Sequence, residues 1–397
     1  MDIVIIAEFC ETFSDEDNGR FLYLANMLSN EHDVELVTSS FYHTTKSQRT
    51  APERSWPFDI TFISEPGYPK NICLKRFYSH AMWGRNVEKY LRQRKRPDVI
   101  YCAIPSLTGP NLIAKYCEKN NIRFVIDVQD LWPEAFKMVF NVPVVSGIVF
   151  APFSVLANGI YKRADAICGV SDTYCSRALR VNKKCAKSAT VFLGTDLTTF
   201  DAYARAKPIR TKPNDEVWLA YCGTLGSSYD LTCVIDALNL LDDERVKFIV
   251  MGDGPKMDEF RGYSEQKHTK TWFVGRLQYD QMCSLLSSCD ITVNPIVHGA
   301  AGSIINKHAD YAASGLPVIN TQESEEYRKL VDEYNMGFNC ENGSSSDVAV
   351  KLRMLIDNVK LCRKMGANAR RCAEERFDRV TSYNRLVEEI VLKEARL

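Results

Sequence analysis

The sequence predicts an α/β protein of two Rossmann-like domains, each a doubly wound parallel sheet, that face a central cleft. Its 397 residues suit two domains at about 100–200 residues each. Short apolar runs alternate with longer helical patterns, as in successive βαβ units. A polar, proline-bearing stretch at 204–215 is the best candidate linker. We therefore expect a first domain at residues 1–205 and a second at 206–378.

The predicted strands are short apolar runs that both faces of a parallel sheet would bury. In the first domain they are Ile3–Ala7, Val34–Thr38, Ile60–Ile63, Val99–Ala103, Phe124–Val128, Ala166–Val170 and Ala189–Phe192. In the second they are Val217–Cys222, Val246–Met251, Thr271–Val274, Ile291–Pro295, Pro317–Asn320 and Gly337–Cys340. Helices are expected between them, and the chain from Ser346 is expected to be helical to its end. Ligands of such sheets bind beyond the carboxyl ends of the strands, so the site is expected in those loops.

The composition excludes several classes of protein. Fifty Lys and Arg balance fifty Asp and Glu, and this zero net charge argues against a partner of the nucleic-acid class. The first residues form an apolar strand without a basic leader, so no signal peptide is expected. Prolines and a glycine interrupt the longest apolar stretch, 142–160, which argues against a membrane-spanning helix. Fourteen scattered cysteines without C-x-x-C pairs or zinc-ligand spacing indicate free thiols in a cytoplasmic protein.

The loop after the first strand contains two candidate sites. Gly19 and Arg20 precede an amphipathic helix, so a backbone amide and a guanidinium could meet a phosphate there; a plain turn glycine is the alternative. Asp15 and Asp17 form an Asp-x-Asp that could hold a divalent metal, but acidic loops are more often only solvated. We therefore expect no metal site.

The second domain has glycines directly after three consecutive predicted strands. They lie in Tyr221-Cys222-Gly223-Thr224-Leu225-Gly226, in Gly252-Asp253-Gly254-Pro255 and in Gly275-Arg276. Such turns would form a floor on which a nucleotide can lie, with Gly223, Thr224, Gly254 and Arg276 as contacts. None is a complete G-x-G-x-x-G, so a nicotinamide or flavin fingerprint is absent.

The stretch 299–318 is the richest in candidate binding residues. A loop of small residues that includes Ser303 and Ile304 opens a predicted helix, whose first amides could donate hydrogen bonds to a diphosphate. Lys307 and Asp310 are three residues apart and share a helical face. A cation for phosphate and a carboxylate for ribose hydroxyls suit a nucleotide sugar. An ordinary surface ion pair is the alternative.

Several motifs together resemble the GT-B glycosyltransferases of family 4, retaining enzymes that include many of bacterial capsule and O-antigen assembly. The resemblance is carried by Asn18-Gly19-Arg20, Asp130-Leu131-Trp132-Pro133-Glu134, Gly194-Thr195-Asp196, Met251-Gly252-Asp253-Gly254-Pro255 and, above all, Lys307-x-x-Asp310-Tyr311-Ala312-Ala313-Ser314-Gly315-x-Pro317-Val318. It implies acceptor binding by residues 1–205, donor binding by 206–378, and a C-terminal helix, 379–397, that packs back toward the first domain. It also implies a nucleotide-diphosphate sugar, most simply a UDP-sugar, as the donor substrate, with no cofactor.

The sequence departs from this family at catalytically important positions. The family's two donor-loop glutamates map to Gly302, which has no side chain, and to Asp310. The usual His-Asp pair is Gln129-Asp130, so no histidine base is evident. A retaining transfer needs no histidine base if the leaving diphosphate takes the acceptor proton. Asp130 and Gln129 would then orient hydroxyl groups. A helix N-cap is the alternative role of Asp130.

Residues 70–96 carry nine Lys and Arg and one acid, Glu88, within an amphipathic pattern. The apolar positions are Leu74, Phe77, Tyr78, Ala81, Met82, Val87 and Leu91. Such a helix can lie on an anionic membrane, although a helix packed on the sheet with a solvated basic side is the alternative. The family's acceptors are often lipid-linked glycans, so we expect a peripheral protein at the inner face of the plasma membrane. A GT-B epimerase of UDP-sugars and a non-catalytic nucleotide-sugar-binding subunit remain alternative functions.

Overall fold

The computed structural model describes residues 1–10, 13, 19–49, 55–71, 73–139, 145–185, 188–300 and 303–392. Asp15, Asp17, Asn18 and Gly302 lie outside these ranges. The chain forms two compact units, each with its own parallel sheet. Unit 1 contains the described residues up to Val191 and from Tyr383 onward, and unit 2 is Phe192–Ser382.

Unit 1 has a seven-stranded parallel sheet of order β5-β2-β1-β6-β7-β8-β9 and a small antiparallel hairpin, β3-β4. Its strands are β1 (Asp2–Ala7), β2 (Asp33–Ser39), β3 (Phe41–Tyr42), β4 (Ser47–Gln48), β5 (Asp59–Ile63), β6 (Val99–Ile104), β7 (Arg123–Val128), β8 (Ala166–Gly169) and β9 (Ser188–Thr190). Its helices are α1 (Arg20–Leu28), α2 (Leu74–Gln93), α3 (Thr108–Asn120), α4 (Glu134–Val139), α5 (Val145–Arg163) and α6 (Asp172–Leu179).

Unit 2 has a six-stranded parallel sheet of order β12-β11-β10-β13-β14-β15. Its strands are β10 (Val217–Cys222), β11 (Val246–Met251), β12 (Thr271–Gly275), β13 (Ile291–Asn294), β14 (Val318–Asn320) and β15 (Gly337–Asn339). Its helices are α7 (Leu197–Ala204), α8 (Leu231–Leu241), α9 (Met257–Gln266), α10 (Tyr279–Leu286), α11 (Lys307–Ala313), α12 (Glu325–Tyr334), α13 (Ser345–Asp357) and α14 (Val359–Cys372). A π-helical turn, Ala373–Phe377, follows, and α15 (Arg379–Leu386) and a second π-helical turn, Val387–Val391, lead back into unit 1.

The apolar runs form strands because helices cover both faces of each sheet. In β1, Ile3 and Ile5 belong to one core cluster, whereas Val4 and Ile6 belong to the other. Alternate residues of a strand point to opposite faces, so a strand buried on both sides needs an unbroken apolar run. The predicted α/β architecture of two doubly wound sheets is confirmed.

Three details differ from the sequence prediction. The predicted linker and the domain boundary at residue 205 lie inside unit 2, because Phe200 of α7 packs in the same core as Trp218 of β10. The C-terminal part is not one continuous helix, since the chain leaves helical geometry at Asn358 and Asp378. In α2, the predicted apolar stripe divides: Leu74 and Tyr78 are exposed, while Val87 and Leu91 enter the core. Trp83, which was not part of the predicted stripe, is buried in the same core. No helix of the described ranges is both long and apolar enough to cross a membrane.

Candidate functional site

The glycine turns after β10, β11 and β12 pack directly against one another. The amide of Gly223 donates to the carbonyl of Met251 (2.9 Å), and that of Gly252 donates to Gly275 (2.8 Å). A methyl group at residue 252 would lie 1.8 Å from the carbonyl oxygen of Gly223, and φ is +156° at Gly252 and +137° at Gly223. Only glycine combines a tolerance of these positive φ angles with the lack of a side chain that the close approach at residue 252 requires. The predicted floor at the carboxyl edge of the unit 2 sheet therefore exists.

The other predicted contacts of this floor have different surroundings. Gly254 packs against the loop after β10, where an added methyl group would lie 2.4 Å from the carbonyl oxygen of Leu225. Thr224 is exposed, and its carbonyl accepts a hydrogen bond from the Tyr221 hydroxyl (2.7 Å). Arg276 is exposed and forms no hydrogen bond or ion pair with any residue in the described ranges. Its guanidinium is thus available to a ligand.

Lys307, the first residue of α11, points its ammonium into an aromatic clamp above this floor. Its Nζ lies 4.1 Å from the ring centroid of Tyr221 and 4.0 Å from that of Tyr229. A methyl group on Gly223 would lie 3.0 Å from the same Nζ. We call these residues, Tyr221, Gly223, Tyr229 and Lys307, the lysine clamp. The structure thereby joins two predicted residues, Gly223 and Lys307, that are far apart in the sequence.

The Lys307 ammonium is buried without an anionic partner. The side chain is buried, and Nζ has no hydrogen-bond partner in the part of the chain that the structure describes. Burial lowers its pKa from the usual 10.5 to about 7, and the neighbouring Cys222 thiol opposes this only in part. The faces of aromatic rings attract a cation, but they are much weaker hydrogen-bond acceptors than a carboxylate. A buried cation that still lacks an anion is well suited to receive one from a ligand.

Asp310 does not pair with Lys307, although both lie on α11. Its Oδ1 accepts a hydrogen bond from the Tyr279 hydroxyl (2.9 Å), which lies 2.7 Å from Oγ1 of Thr195. Burial raises the pKa of Asp310 to about 6. The alternative of a surface ion pair is therefore wrong for these two residues. The carboxylate is held in place by a neutral phenol and can still accept from a ligand hydroxyl.

Ser303 and Ile304 lie at the opening of the predicted donor loop, and both are buried. The carbonyl of Ser303 accepts a hydrogen bond from Nε2 of Gln322 (2.7 Å). Oε1 of Gln322 accepts from Asn294 (3.0 Å), and Asn294 also donates to Asn320 (2.9 Å). This amide network at the ends of β13 and β14 fixes the loop, and the sequence analysis missed it. The sequence does contain a feature that points to this network, because Asn294, Asn320 and Asn339 end three consecutive strands.

Arg20 is placed in the interior of unit 1. Its Nε and Nη2 donate to the two carboxylate oxygens of Asp127 (2.6 and 3.2 Å), and Nη1 donates to the carbonyl of Val191 (2.9 Å). The side chain is 2% exposed. Gly19 precedes α1 in extended conformation, without a side-chain cap. The guanidinium expected at a phosphate thus serves a buried, bidentate ion pair, and its surroundings do not support donor binding.

Asp130 and Gln129 follow β7 at the carboxyl edge of the unit 1 sheet. The Asp130 carboxylate accepts from the amide of Leu131 (2.8 Å) and from Nε1 of Trp132 (3.1 Å), and burial raises its pKa. It does not cap α4, which begins at Glu134. Nε2 of Gln129 is buried without a hydrogen-bond partner in the described ranges. Their role toward a substrate stays a prediction.

The same edge of unit 1 holds a buried polar cluster that the sequence analysis missed. Glu8 follows β1 and accepts a hydrogen bond from Ser106, and Glu65 follows β5 and accepts from Ser39 and from Ser79 (2.5 Å). Burial raises the pKa of both carboxyl groups. His80 is buried against Trp132, and burial lowers its pKa to about 3. Such groups are expected at a ligand site.

Across the described ranges, no three His, Cys, Asp or Glu side chains are arranged to hold a metal ion.

Part of the chain matches a known protein family and a curated relative. Residues 204–372, which contain the lysine clamp, match the family model "Glycosyl transferases group 1". A probable glycosyltransferase of Pseudomonas aeruginosa, WbjE, is 24% identical over 142 residues. That match spans 35% of this chain and about a third (34%) of the relative's own length.

Solved structures resemble the whole chain. Anabaena Alr3699/HepE in complex with UDP has a TM-score of 0.69 at 15% identity, covering 98% of this chain and 99% of that one. Sucrose-phosphate synthase from Thermosynechococcus elongatus has a TM-score of 0.73 at 14% identity, covering 98% and 97%. WaaG, a glycosyltransferase of lipopolysaccharide biosynthesis, has a TM-score of 0.68 at 13% identity, covering 98% and 100%. The chain therefore has the GT-B fold, and its residues 204–372 match the group 1 glycosyltransferase family.

Proposed function

We propose that this protein is a retaining glycosyltransferase of the family 4 type. It transfers a hexosyl or N-acetylhexosaminyl group from a UDP-sugar to a lipid-linked glycan during assembly of a capsule or O-antigen polysaccharide. The single observation that supports the proposal most is the lysine clamp: a buried, anion-free ammonium above a glycine floor, inside the matched family segment. UDP is chosen because similar folds were solved with UDP and UDP-glucose.

In this proposal the donor diphosphate binds the Lys307 ammonium. A diphosphate gives the ammonium the charged acceptors that the rings of Tyr221 and Tyr229 lack, and so raises its pKa. The exposed Arg276 guanidinium supplies a second cation from the turn after β12. Asp310, fixed by Tyr279, accepts the ribose hydroxyls. These protein cations replace a metal, so the reaction is proposed to need no metal or other cofactor.

The chemical step is proposed to rely on orientation and charge stabilisation. With Gln129 in place of the family's histidine, the leaving diphosphate takes the proton of the acceptor hydroxyl, and Lys307 stabilises the negative charge that develops. Asp130, held by Leu131 and Trp132, orients hydroxyl groups. Burial raises the pKa of this carboxyl, while the hydrogen bonds from Leu131 and Trp132 oppose the shift.

The membrane part of the proposal rests on α2 and α5 of unit 1. Leu74 and Tyr78 at the start of α2 are 87% and 58% exposed, and Val149 and Val155 on α5 are 56% and 70% exposed. Phe77 lies between these groups, with its ring 5.2 Å from that of Phe153 of α5. Exposed lysines and arginines continue along α2. Apolar side chains flanked by cations suit a peripheral position on the anionic inner face of the plasma membrane.

The test begins with a panel of UDP-, GDP- and dTDP-sugars scored by thermal shift, since a ligand that binds the folded state raises the melting temperature. Binding should be unaffected by EDTA and at least tenfold weaker in Lys307→Ala. Transfer to a membrane-lipid extract then identifies an enzyme. If no nucleotide sugar raises the melting temperature, the proposal fails. Donor binding without turnover would favour the non-catalytic subunit, and a changed sugar without acceptor would favour the epimerase.

A further inference from the structure

Two cations in unit 1 share one aromatic ring. Lys46 ends the turn of the β3–β4 hairpin, Tyr68 follows β5, and Arg76 lies in the first turn of α2. The Lys46 Nζ lies 5.2 Å from the ring centroid of Tyr68, and Cζ of Arg76 lies 5.5 Å from it. Nδ1 of His43, from the same turn, is 2.6 Å from the Tyr68 hydroxyl. We call these four residues the hairpin site.

Neither cation has an anionic partner in the described part of the chain. Lys46 donates to the backbone carbonyl of His43. Arg76 donates to the carbonyl of Asn71 (2.9 Å), and its buried Nε has no hydrogen bond. Its guanidinium faces the rings of Trp132 and Phe9, at 4.8 and 5.8 Å. Neither Lys46 nor Arg76 therefore forms an ion pair within the described ranges.

The charge of Arg76 acts on three nearby carboxyl groups, those of Glu8, Glu65 and Asp130. All three accept hydrogen bonds from groups other than Arg76. They accept from serine hydroxyls or from Leu131 and Trp132, and burial raises their pKa values. Burial, followed by Lys46 and Arg76, lowers the pKa of His43 to about 4. Burial and Arg76 likewise lower the pKa of Lys46. Burial and the neighbouring cations thus favour the neutral forms of His43 and Lys46.

The backbone at Lys46 is held in a costly conformation. Its φ is +58°, in the left-handed region that non-glycine residues occupy at a cost of about 1 kcal/mol or more. The amide of Lys46 donates to the carbonyl of Tyr42 (2.9 Å), which closes the turn. Glycine would remove this strain. A lysine at such a position places a cation over Tyr68 at the expense of stability.

We propose that the hairpin site binds the phosphate group of the acceptor substrate, an inference that rests on the proposed transfer reaction. The Arg76 guanidinium offers a planar pair of donors to two phosphate oxygens, and Lys46 supplies a second cation. The Tyr68 hydroxyl and His43 complete the ring of polar groups. The chemistry recognised is a phosphate ester or diphosphate, which a prenyl-diphosphate lipid or a soluble sugar phosphate can each carry.

The test is calorimetric titration of the full chain carrying Lys307→Met, so that the donor site contributes no cation. The chain also carries Arg276→Gln, which removes the second proposed donor-site cation. The probes are inorganic pyrophosphate, farnesyl diphosphate in detergent micelles and glucose 6-phosphate. We expect binding of pyrophosphate to weaken at least tenfold in Lys46→Gly and in Arg76→Gln, and to change less than twofold in the control Arg85→Gln, an exposed cation on α2. Stronger binding of farnesyl diphosphate than of glucose 6-phosphate identifies a lipid acceptor, and the reverse identifies a soluble one.

Two outcomes overturn the proposal: no phosphate probe binds, or binding is unchanged in both hairpin-site variants. Lys46→Gly also separates folding from binding, because it should keep or raise the melting temperature while removing the cation. If Arg76→Gln fails to fold, Lys46→Gly and the rescue variant Lys46→Arg decide. UDP binding to the chain with Lys307 intact is measured in parallel. If UDP does not bind the wild type but pyrophosphate binds the hairpin site, the donor assignment is refuted. If UDP binds the wild type but pyrophosphate does not bind the chain that lacks the donor-site cations, the hairpin site is refuted.

Discussion

Replacing Lys307 by methionine should stabilise the protein and abolish donor binding at the same time. Methionine has a similar length and fills the space between Tyr221 and Tyr229 without a charge. The pKa of Lys307 is about 7 instead of 10.5. At about 1.36 kcal/mol per pKa unit, this shift corresponds to a penalty of about 5 kcal/mol for burying the charged lysine. The two ring contacts offset roughly 1–2 kcal/mol each. A net gain of about 1–3 kcal/mol therefore remains.

The predicted gain has a defined dependence on pH. Between pH 7 and 10.5 the unfolded chain holds a proton on Lys307 that the folded chain lacks, so the stability of the wild type rises with pH in this window. The advantage of Lys307→Met is thus full below pH 7 and disappears as the pH approaches 10.5. UDP binding by the wild type should weaken as the pH rises above 7, because the free ammonium loses its charge.

The assay is thermal unfolding at pH 6.5 and pH 9, with and without UDP. At about 2–4 °C per kcal/mol for a unit of this size, Lys307→Met should raise the melting temperature by roughly 2–12 °C at pH 6.5, and by less at pH 9. UDP should no longer raise it. The control is Lys351→Met, because Lys351 lies over the single ring of Phe338 at 5.4 Å and is only half-buried. A lower melting temperature in Lys307→Met, or unchanged UDP affinity, would refute the reasoning.

Further substitutions test the rest of the structure. Arg20→Ala should destabilise unit 1 by about 3–5 kcal/mol, because it leaves a buried carboxylate unpaired, and should not change UDP affinity; denaturant unfolding and UDP titration check both. Gly252→Ala should abolish UDP binding, since its methyl group would lie 1.8 Å from a carbonyl oxygen, whereas Gly275→Ala, with φ +87° but nothing within 4 Å, should cost only about 1 kcal/mol. Tyr279→Phe removes a hydrogen bond to Asp310 and should raise the pKa of that carboxyl further above 6, shifting the lower limb of the pH profile of UDP affinity upward.

Much of the fold was predictable from local patterns, because strands buried on both faces need continuous apolar runs. The β3–β4 hairpin was missed since its strands are two residues long and do not form such a run. The domain boundary was misplaced for a different reason. The polar stretch at 204–215 marks a surface segment, but the boundary depends on which core α7 joins, and Phe200 joins that of unit 2. The composition of a segment indicates whether it is exposed to solvent, but it does not indicate which core a neighbouring helix packs against.

The sequence by itself determined that there are two parallel-sheet domains, that glycine turns follow three strands of the second, and that Lys307 and Asp310 occupy one short helix. These features depend on residues close together in the chain. Only the tertiary structure decided what each charged group faces. It placed Arg20 against Asp127, Lys307 next to two tyrosines, and Lys46 and Arg76 next to the ring of Tyr68. The physical reason is that the cost of a buried charge depends on its partners, and folding brings those partners from distant parts of the chain.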